Sequence, residues 1–176
     1  TECRKYYPEF RVSINLSYVQ ILKSPLMMEL KQIIDHSGIS CSGIIVELTE
    51  SGYLEGTPAV RSVWNDMKQL RIQIALDDFG TGYSNLMNIS NLEPDIVKLD
   101  RGFTLKALSR SYEYQLMQYV IEMVHKLNQY VCVEGVETKE DLEKIKALGP
   151  DLIQGYYYSK PCSRDEFLKK FFGYSE

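Results

Sequence analysis

Asn15, Glu47, Asp77, Asp78, Lys98, Glu134 and Gln154 are polar, and each stands at or just past the end of a short apolar run. Two amides, four carboxylates and one lysine make an oxygen-rich set without His or Cys, the kind that suits hard cations such as Mg²⁺ or Mn²⁺. Adjacent Asp77 and Asp78 repel one another unless a cation compensates them. A lysine in such company can orient a water or stabilise developing negative charge. Two cations a few ångströms apart are a standard device for in-line displacement at phosphorus. These residue types point to a metal-dependent barrel enzyme acting on a phosphate ester.

Taken singly, each residue has an ordinary explanation. A lone Asp or Glu after a strand usually caps a helix. Lys98 alone would pair with Asp100 or Asp95, and Asn15 would satisfy nearby backbone groups. His36 and His125 lie in helical segments without ligand spacing and carry no assigned chemistry. What these readings leave unexplained is the recurrence of amide, carboxylate and lysine at every strand end.

The elements that must position this set are legible as alternating periods. Six apolar runs read as strands: Val12–Leu16, Ile44–Leu48, Ile72–Leu76, Ile96–Leu99, Tyr130–Val133 and Leu152–Tyr158. Helical signals separate most of them. Ser24-Pro25 opens a helix that Gly38 closes, and Thr57-Pro58 opens another. Tyr112–Leu127 carries an apolar stripe at Leu116, Tyr119, Val120 and Met123. Thr138 with Asp141, and Ser163 with Glu166, are helix starts, and Gly149-Pro150 is a stop. Alternating strands and helices predict an α/β protein with a parallel sheet. The polar strand-end residues recur about every 28 positions, close to the roughly 31 per unit of a 250-residue eight-unit barrel, whose active sites sit on the rim at the strand C-termini. Tyr156–Tyr158, Met27-Met28 and Phe171-Phe172 read as packing residues.

Composition is that of one globular domain spanning 1–176: 44% hydrophobic and 25% charged residues in 176. A net charge of −4 counts against a grip on nucleic-acid polymers. It is compatible with a small anionic ligand held through a metal. No apolar run approaches the roughly 18–20 residues of a membrane span. Four cysteines without a CxxC pattern read as reduced thiols in a cytoplasmic protein.

Six ordered motifs go further: INLS at 14–17, ELTES at 47–51, DDFGTGYSNL at 77–86, VKLDRGF at 97–103, EGVET at 134–138 and QGYYYSKP at 154–161. Together they closely resemble the EAL-domain cyclic di-GMP phosphodiesterases, from about Phe10 to Pro161. The resemblance implies a (β/α)8 TIM-type barrel and hydrolysis of cyclic di-GMP to the linear dinucleotide with Mg²⁺ or Mn²⁺ in a two-metal site. It implies that Asn15, Glu47 and Asp77 hold one metal and that Asp77, Asp78 and Glu134 hold the second. Lys98 would position the attacking water, with Glu134 also credited as a general base. Glu50 matches the residue that orders the DDFGTG loop, and Asp100, Glu137 and Gln154 match residues lining the site. Implied partners are cyclic di-GMP, a second copy through the DDFGTG loop region, and an upstream sensor or GGDEF-type domain, through which the parent could be tethered to a membrane.

One family feature is not found. No Glu-Ala-Leu-type motif precedes Asn15, and 176 residues fall short of a typical barrel of about 250. The chain reads as the last six βα units of an incomplete barrel, a single partial domain. By itself it is expected to be weak or inactive, with exposed strand edges. Two other readings compete: a non-catalytic cyclic di-GMP receptor or scaffold, and an enolase-type metal-dependent barrel enzyme with a lysine base. Retention of every downstream carboxylate counts against the first. The Asp77-Asp78 pair, Asn15 and the QGYYYSKP segment count against the second.

Overall fold

The computed structural model describes residues 2–23, 25–49, 58–81, 89 and 92–173. In chain order these form α1 (Glu2–Tyr6), β1 (Val12–Asn15), α2 (Tyr18–Lys23), α3 (Leu26–Ser37), a 3-10 turn (Cys41–Gly43), β2 (Ile44–Thr49) and α4 (Pro58–Gln69). There follow β3 (Gln73–Phe79), β4 (Ile96–Leu99), α5 (Arg101–Ser109), α6 (Ser111–Lys126), β5 (Tyr130–Val133), α7 (Lys139–Lys146), β6 (Leu152–Ile153) and α8 (Arg164–Phe172). The strands pair in sequence order in one parallel six-stranded sheet, as the alternation predicts. No pairing joins β1 to β6 among the described residues, so the sheet is open.

Because strand side chains alternate, the sheet sorts its residues by face. Val46, Leu48, Ile74, Leu76, Val97, Leu99, Val131 and Val133 join Trp64 and Met67 of α4, Met117 and Ile121 of α6 and Ile145 of α7 in the main core. At about 1.5–3 kcal/mol per fully buried large aliphatic side chain, this helix-covered face supplies most of the fold's stabilisation. The other face has a much smaller apolar cluster of Ile45, Ala75, Ile96 and Cys132. Glu47 and Lys98 lie two residues beyond Ile45 and Ile96 and share that inner face.

Several local expectations need correcting. The sixth strand is only Leu152–Ile153, not Leu152–Tyr158, because a Cβ at Gly155 would collide with the Val136 backbone and the chain turns there. Tyr156, Tyr157 and Tyr158 are consequently exposed on that turn, not packed. The third strand begins at Gln73 and runs on to Phe79. On α6 the buried stripe is Met117, Ile121 and Val124; of the expected stripe, Val120 and Met123 pack half-buried against the core, while Leu116 and Tyr119 face outward. The wholly aliphatic stripe buries no hydroxyl, so it wins over the one containing tyrosine. Met28 is exposed, whereas Met27 packs on the core. The caps at Thr138 and Ser163 form as read, each a reciprocal capping box, and Gly38 closes α3 at φ 67°. Ser24 and Thr57 lie outside the described residues.

Two identical clamps pin the sheet at the strand N-termini. Asp95, after Pro94, accepts from Ile74 N through Oδ2 at 2.8 Å and donates its own N–H to Ile74 O at 2.9 Å. Asp151, after Pro150, does the same to Val131, at 2.8 and 3.1 Å. Proline fixes the approach and removes a competing donor, and the aspartate then locks the register of the adjacent strand. At the chain ends, α8 returns to α1. Arg164 donates to both oxygens of Glu2 at 2.7 and 2.6 Å, and Tyr6 stacks on Phe172 with centroids 5.3 Å apart. Asp95→Ala is expected to cost about 1.5–3 kcal/mol, the scale of a hydrogen bond to a charged group. Urea unfolding should show this as a lower midpoint at unchanged slope, with Asp95→Asn losing less because its amide oxygen still accepts.

Candidate active site

Each strand end is tied by its backbone to the strand before or after it. Leu16 N donates to Glu47 O, Asp100 N to Phe79 O, Glu134 N to Leu99 O and Gln154 N to Val133 O. The polar residues just past the strands are therefore held on the sheet, not released into loops. They converge on one side chain. The Lys98 ammonium donates to Glu47 Oε2 at 2.7 Å and Asp77 Oδ1 at 3.0 Å, and lies 2.7 Å from Glu134 Oε1. Lys98 is 5% exposed and Glu47 7%. The expected partners Asp100 and Asp95 are engaged elsewhere.

The electrostatics follow from one cation among three carboxylates. Burial opposes the charged form of Lys98, but hydrogen bonds to Glu134, Glu47 and Asp77 outweigh it and hold its pKa above the ordinary lysine value. Glu134 moves upward too: burial dominates, reinforced by Asp77 and Glu47, and the pull of Lys98 does not cancel them. One ammonium does not compensate three carboxylates; their charge keeps Lys98 protonated and adds to the burial that leads the Glu134 shift. Asp78 is raised by burial and then by Asp77 and Asp100. Its backbone sits at φ 60°, a left-handed conformation rare outside Gly, Asn and Asp. The β3–β4 register shifts between Leu76 and Phe79, so the Asp pair is presented on an irregular strand end. Cys132, paired in register with Lys98, is pushed up to about 12 by burial and is a neutral thiol.

The remaining expected residues divide. Asn15 is register-paired with Glu47 and stands exposed at the end of the edge strand β1. Asp100 is the N-cap of α5, accepting from Gly102 N at 2.7 Å, which is the commonplace role for an aspartate after a strand. Glu137 binds Arg101, with Nε and Nη2 at 3.2 and 2.8 Å from Oε1. Gln154 lies past β6 and borders two cavities. One, of about 720 Å³, reaches Glu47, Lys98 and Cys132 and is also bordered by Phe167 and Phe171. The other, of about 440 Å³, includes Glu134, Glu137 and Arg101. Glu50 lies outside the described residues. Arg101 and Tyr156 were missed by sequence reasoning, although Arg101 directly follows the Lys98-Leu99-Asp100 segment.

The donor chemistry fits a hard divalent cation: oxygen ligands carrying more negative charge than Lys98 balances. Among the described residues, no three His, Cys, Asp or Glu side chains stand as a ready-made cation cage. The carboxylates instead close on the ammonium.

A parallel α/β sheet of barrel type with a carboxylate–lysine cluster on its C-terminal rim defines the class. The sequence profile of the EAL domain matches residues 1–161, and the chain belongs to that family. It is 32% identical over 160 residues to the cyclic di-GMP phosphodiesterase PdeF of Escherichia coli strain K12, covering 91% of this chain and 21% of PdeF. Among solved structures, the EAL enzyme Bd1971 bound to cAMP and cyclic di-GMP superposes with a TM-score of 0.87 at 30% identity, covering 92% of this chain and 43% of that one. The manganese and cyclic di-GMP complex of Klebsiella pneumoniae BlrP1 gives 0.82 at 26% identity, covering 88% and 40%. The chain thus spans about a fifth of the length of PdeF. Its six-stranded sheet is an incomplete barrel of the EAL type. No helix among the described residues is long and apolar enough to cross a membrane.

Lys98→Met is expected to destabilise the fold by about 3–5 kcal/mol in EDTA at pH 7, the scale of stripping one partner from a buried ion pair. Without the ammonium, whose pull opposes burial at Glu134, the folded-state pKa of Glu134 would rise further above its unfolded value. Stability of such groups is lost as pH rises through the folded pKa, so the variant should regain stability between pH 7 and pH 5. Urea midpoints at both pH values check the sign.

Proposed function

We propose that this chain carries the catalytic rim of a metal-dependent phosphodiesterase that hydrolyses cyclic di-GMP to the linear dinucleotide. The observation that carries the reading is the convergence of Glu47, Asp77 and Glu134, from the ends of β2, β3 and β5, on Lys98 of β4. Cyclic di-GMP appears in the names of PdeF and of both structural neighbours, and BlrP1 is a manganese complex. Residues 1–176 are read as a single, open-sheeted domain of this type. Support for including the segment past 161 comes from the return of α8 onto α1.

Asn15, Glu47 and Asp77 would hold one Mg²⁺ or Mn²⁺, and Asp77, Asp78 and Glu134 a second, with Asp77 shared. Bound there, the cations would supply an activated water and screen the phosphoryl oxygens. Lys98, kept protonated by its neighbours, donates hydrogen bonds to that water or to a phosphoryl oxygen as negative charge develops. Glu134 is the group placed to take the water's proton, standing on the rim with Oε1 2.7 Å from the Lys98 ammonium. Glu50, Asp100, Glu137 and Gln154 support or line the substrate site, Asp100 by capping α5. A homodimer through the DDFGTG region and an upstream sensor or GGDEF-type domain complete the reading, as does a cytoplasmic location.

In the complete enzyme to which this chain belongs, hydrolysis of cyclic di-GMP should require Mg²⁺ or Mn²⁺ and stop in excess EDTA. Ca²⁺ should bind without supporting turnover, since its longer bonds and looser geometry misplace the water. Activity undiminished by chelator would refute the metal-dependent reading. Glu134→Gln should lower kcat by about 10²–10⁴-fold while weakening substrate binding much less, the usual scale for a general base. Single-turnover rates and equilibrium binding, measured side by side on the same variant, separate the two effects.

A further inference from the structure

At the opposite end of the sheet from the carboxylate cluster, a cavity of about 650 Å³ opens beneath the N-termini of β3, β4 and β5. The turns that border it share an unusual backbone. Four turns leading into β3, β4, β5 and β6 place a left-handed residue after a leucine: Leu70-Arg71, Leu92-Glu93, Leu127-Asn128 and Leu148-Gly149, at φ 60°, 46°, 57° and 74°. Glycine adopts this conformation freely, as Gly149 does, whereas Arg and Glu are strained there. The three turns that forgo glycine are the three whose left-handed residues border the cavity.

Two groups at this cavity have polar capacity that the protein does not use. Gln129 is 8% exposed, and its Oε1 is buried without a hydrogen-bond donor among the described residues. Such an acceptor carries a desolvation cost that a bound donor would recover. The Arg71 guanidinium meets no carboxylate and no other acceptor among the described residues. Between these two, Asp95 uses Oδ2 on Ile74 N, and Glu93 is 3.4 Å from Lys68 on the exposed edge. Tyr130, 53% exposed, borders the cavity beside Gln129.

We propose that this cavity binds a basic amino acid, its α-carboxylate on Arg71 and its side-chain cation on Gln129 Oε1, Asp95 and the face of Tyr130. The two unused groups set the class: Arg71 needs an anion, and Gln129 needs an N–H donor. Because β4 lies between β3 and β5, the two groups enter from strands about 10 Å apart. An α-ammonium stands too close to its own carboxylate to reach both, whereas the long stem of arginine carries donors to the far side. Its guanidinium matches a carboxylate and an amide oxygen and also stacks on an aromatic face. The site shares no residue with the rim cluster, so this inference goes beyond the phosphodiesterase reading and does not rest on it.

The test is calorimetric titration of the full chain with L-arginine, agmatine and L-norvaline, repeated with L-arginine on Arg71→Gly and Gln129→Met. Agmatine lacks the carboxylate, and norvaline keeps it without the guanidinium. L-arginine should bind the unaltered chain with a dissociation constant below about 1 mM. Each analogue, and each variant, should bind roughly 10- to 100-fold more weakly, the scale of a hydrogen bond to a charged group. Without ligand, both variants should melt at or above the midpoint of the unaltered chain. Glycine relieves the left-handed backbone at position 71, and methionine fills the place of Gln129 without an unpaired acceptor. Absence of L-arginine binding, equal binding of either analogue, or unchanged affinity in either variant would overturn the proposal. A lowered melting midpoint in either variant would overturn it too, by assigning that side chain to the fold.

Discussion

A buried ammonium that must be matched by carboxylates from other strands is the constraint around which this sheet is organised. Lys98 can remain charged at 5% exposure only because Glu47, Asp77 and Glu134 arrive within hydrogen-bonding distance. Those residues come from β2, β3 and the end of β5, so β2 to β5 must hold their registers for the charge to be tolerated. The backbone bonds that carry Glu134 and Asp100 onto the preceding strand, and the bond from Leu16 N at the end of β1 to Glu47 O, supply that register at the rim. Misplacing one strand by a single residue would turn its carboxylate to the helix-covered face. It would also leave Lys98 short of a partner.

The same cluster explains why the rim is poised for a further cation. Three carboxylates against one lysine leave an excess of negative charge in a region where water cannot screen it fully. Burial is the leading cause of the upward shifts of Glu134 and Asp78, and neighbouring carboxylates add to both. The left-handed backbone at Asp78 and the register shift before Phe79 add local cost at the same place. A rim arranged for stability alone would have used an apolar layer, as the sheet does one step lower with Ile45, Ala75 and Ile96.

Much of the fold was legible because strand period and helix caps act over a few residues. The capping boxes at Thr138 and Ser163 and the parallel order of six strands formed as read. Errors arose where distant packing chose between local possibilities. The tyrosines after Gly155 look like strand in isolation, but contact between Gly155 and Val136, nineteen residues apart in sequence, bends the chain away. On α6, two apolar stripes were available, and only the neighbouring sheet decides which is buried. In the site, the residue types at strand ends were readable, whereas the partners of Lys98 were not. Asp95 and Asp100 are close in sequence but turned to backbone clamps and a helix cap, leaving carboxylates 51, 21 and 36 positions away to meet the ammonium. Arg101 and Tyr156 escaped notice because their meaning depends on a cavity formed by three separate segments.

Stability and chemistry are thereby divided between the two ends of the sheet. At the strand N-termini, Pro94-Asp95 and Pro150-Asp151 bond both the N–H and the C=O of a neighbouring strand residue, with no unused carboxylate chemistry in view of a cavity at the rim. At the C-termini the acidic residues repel one another and are joined through one lysine. Clamping at one end lets the other carry unfavourable charge, since β3 and β5, which deliver Asp77 and Glu134, are fixed before they reach the rim. Repeating the Pro-Asp clamp ahead of β4 and β6 places it beneath the strand that bears Lys98 and the strand that leads to Gln154. The charge-crowded rim is therefore supported from below by the two Pro-Asp clamps, and the polarity of the strands sets which end can serve as a site.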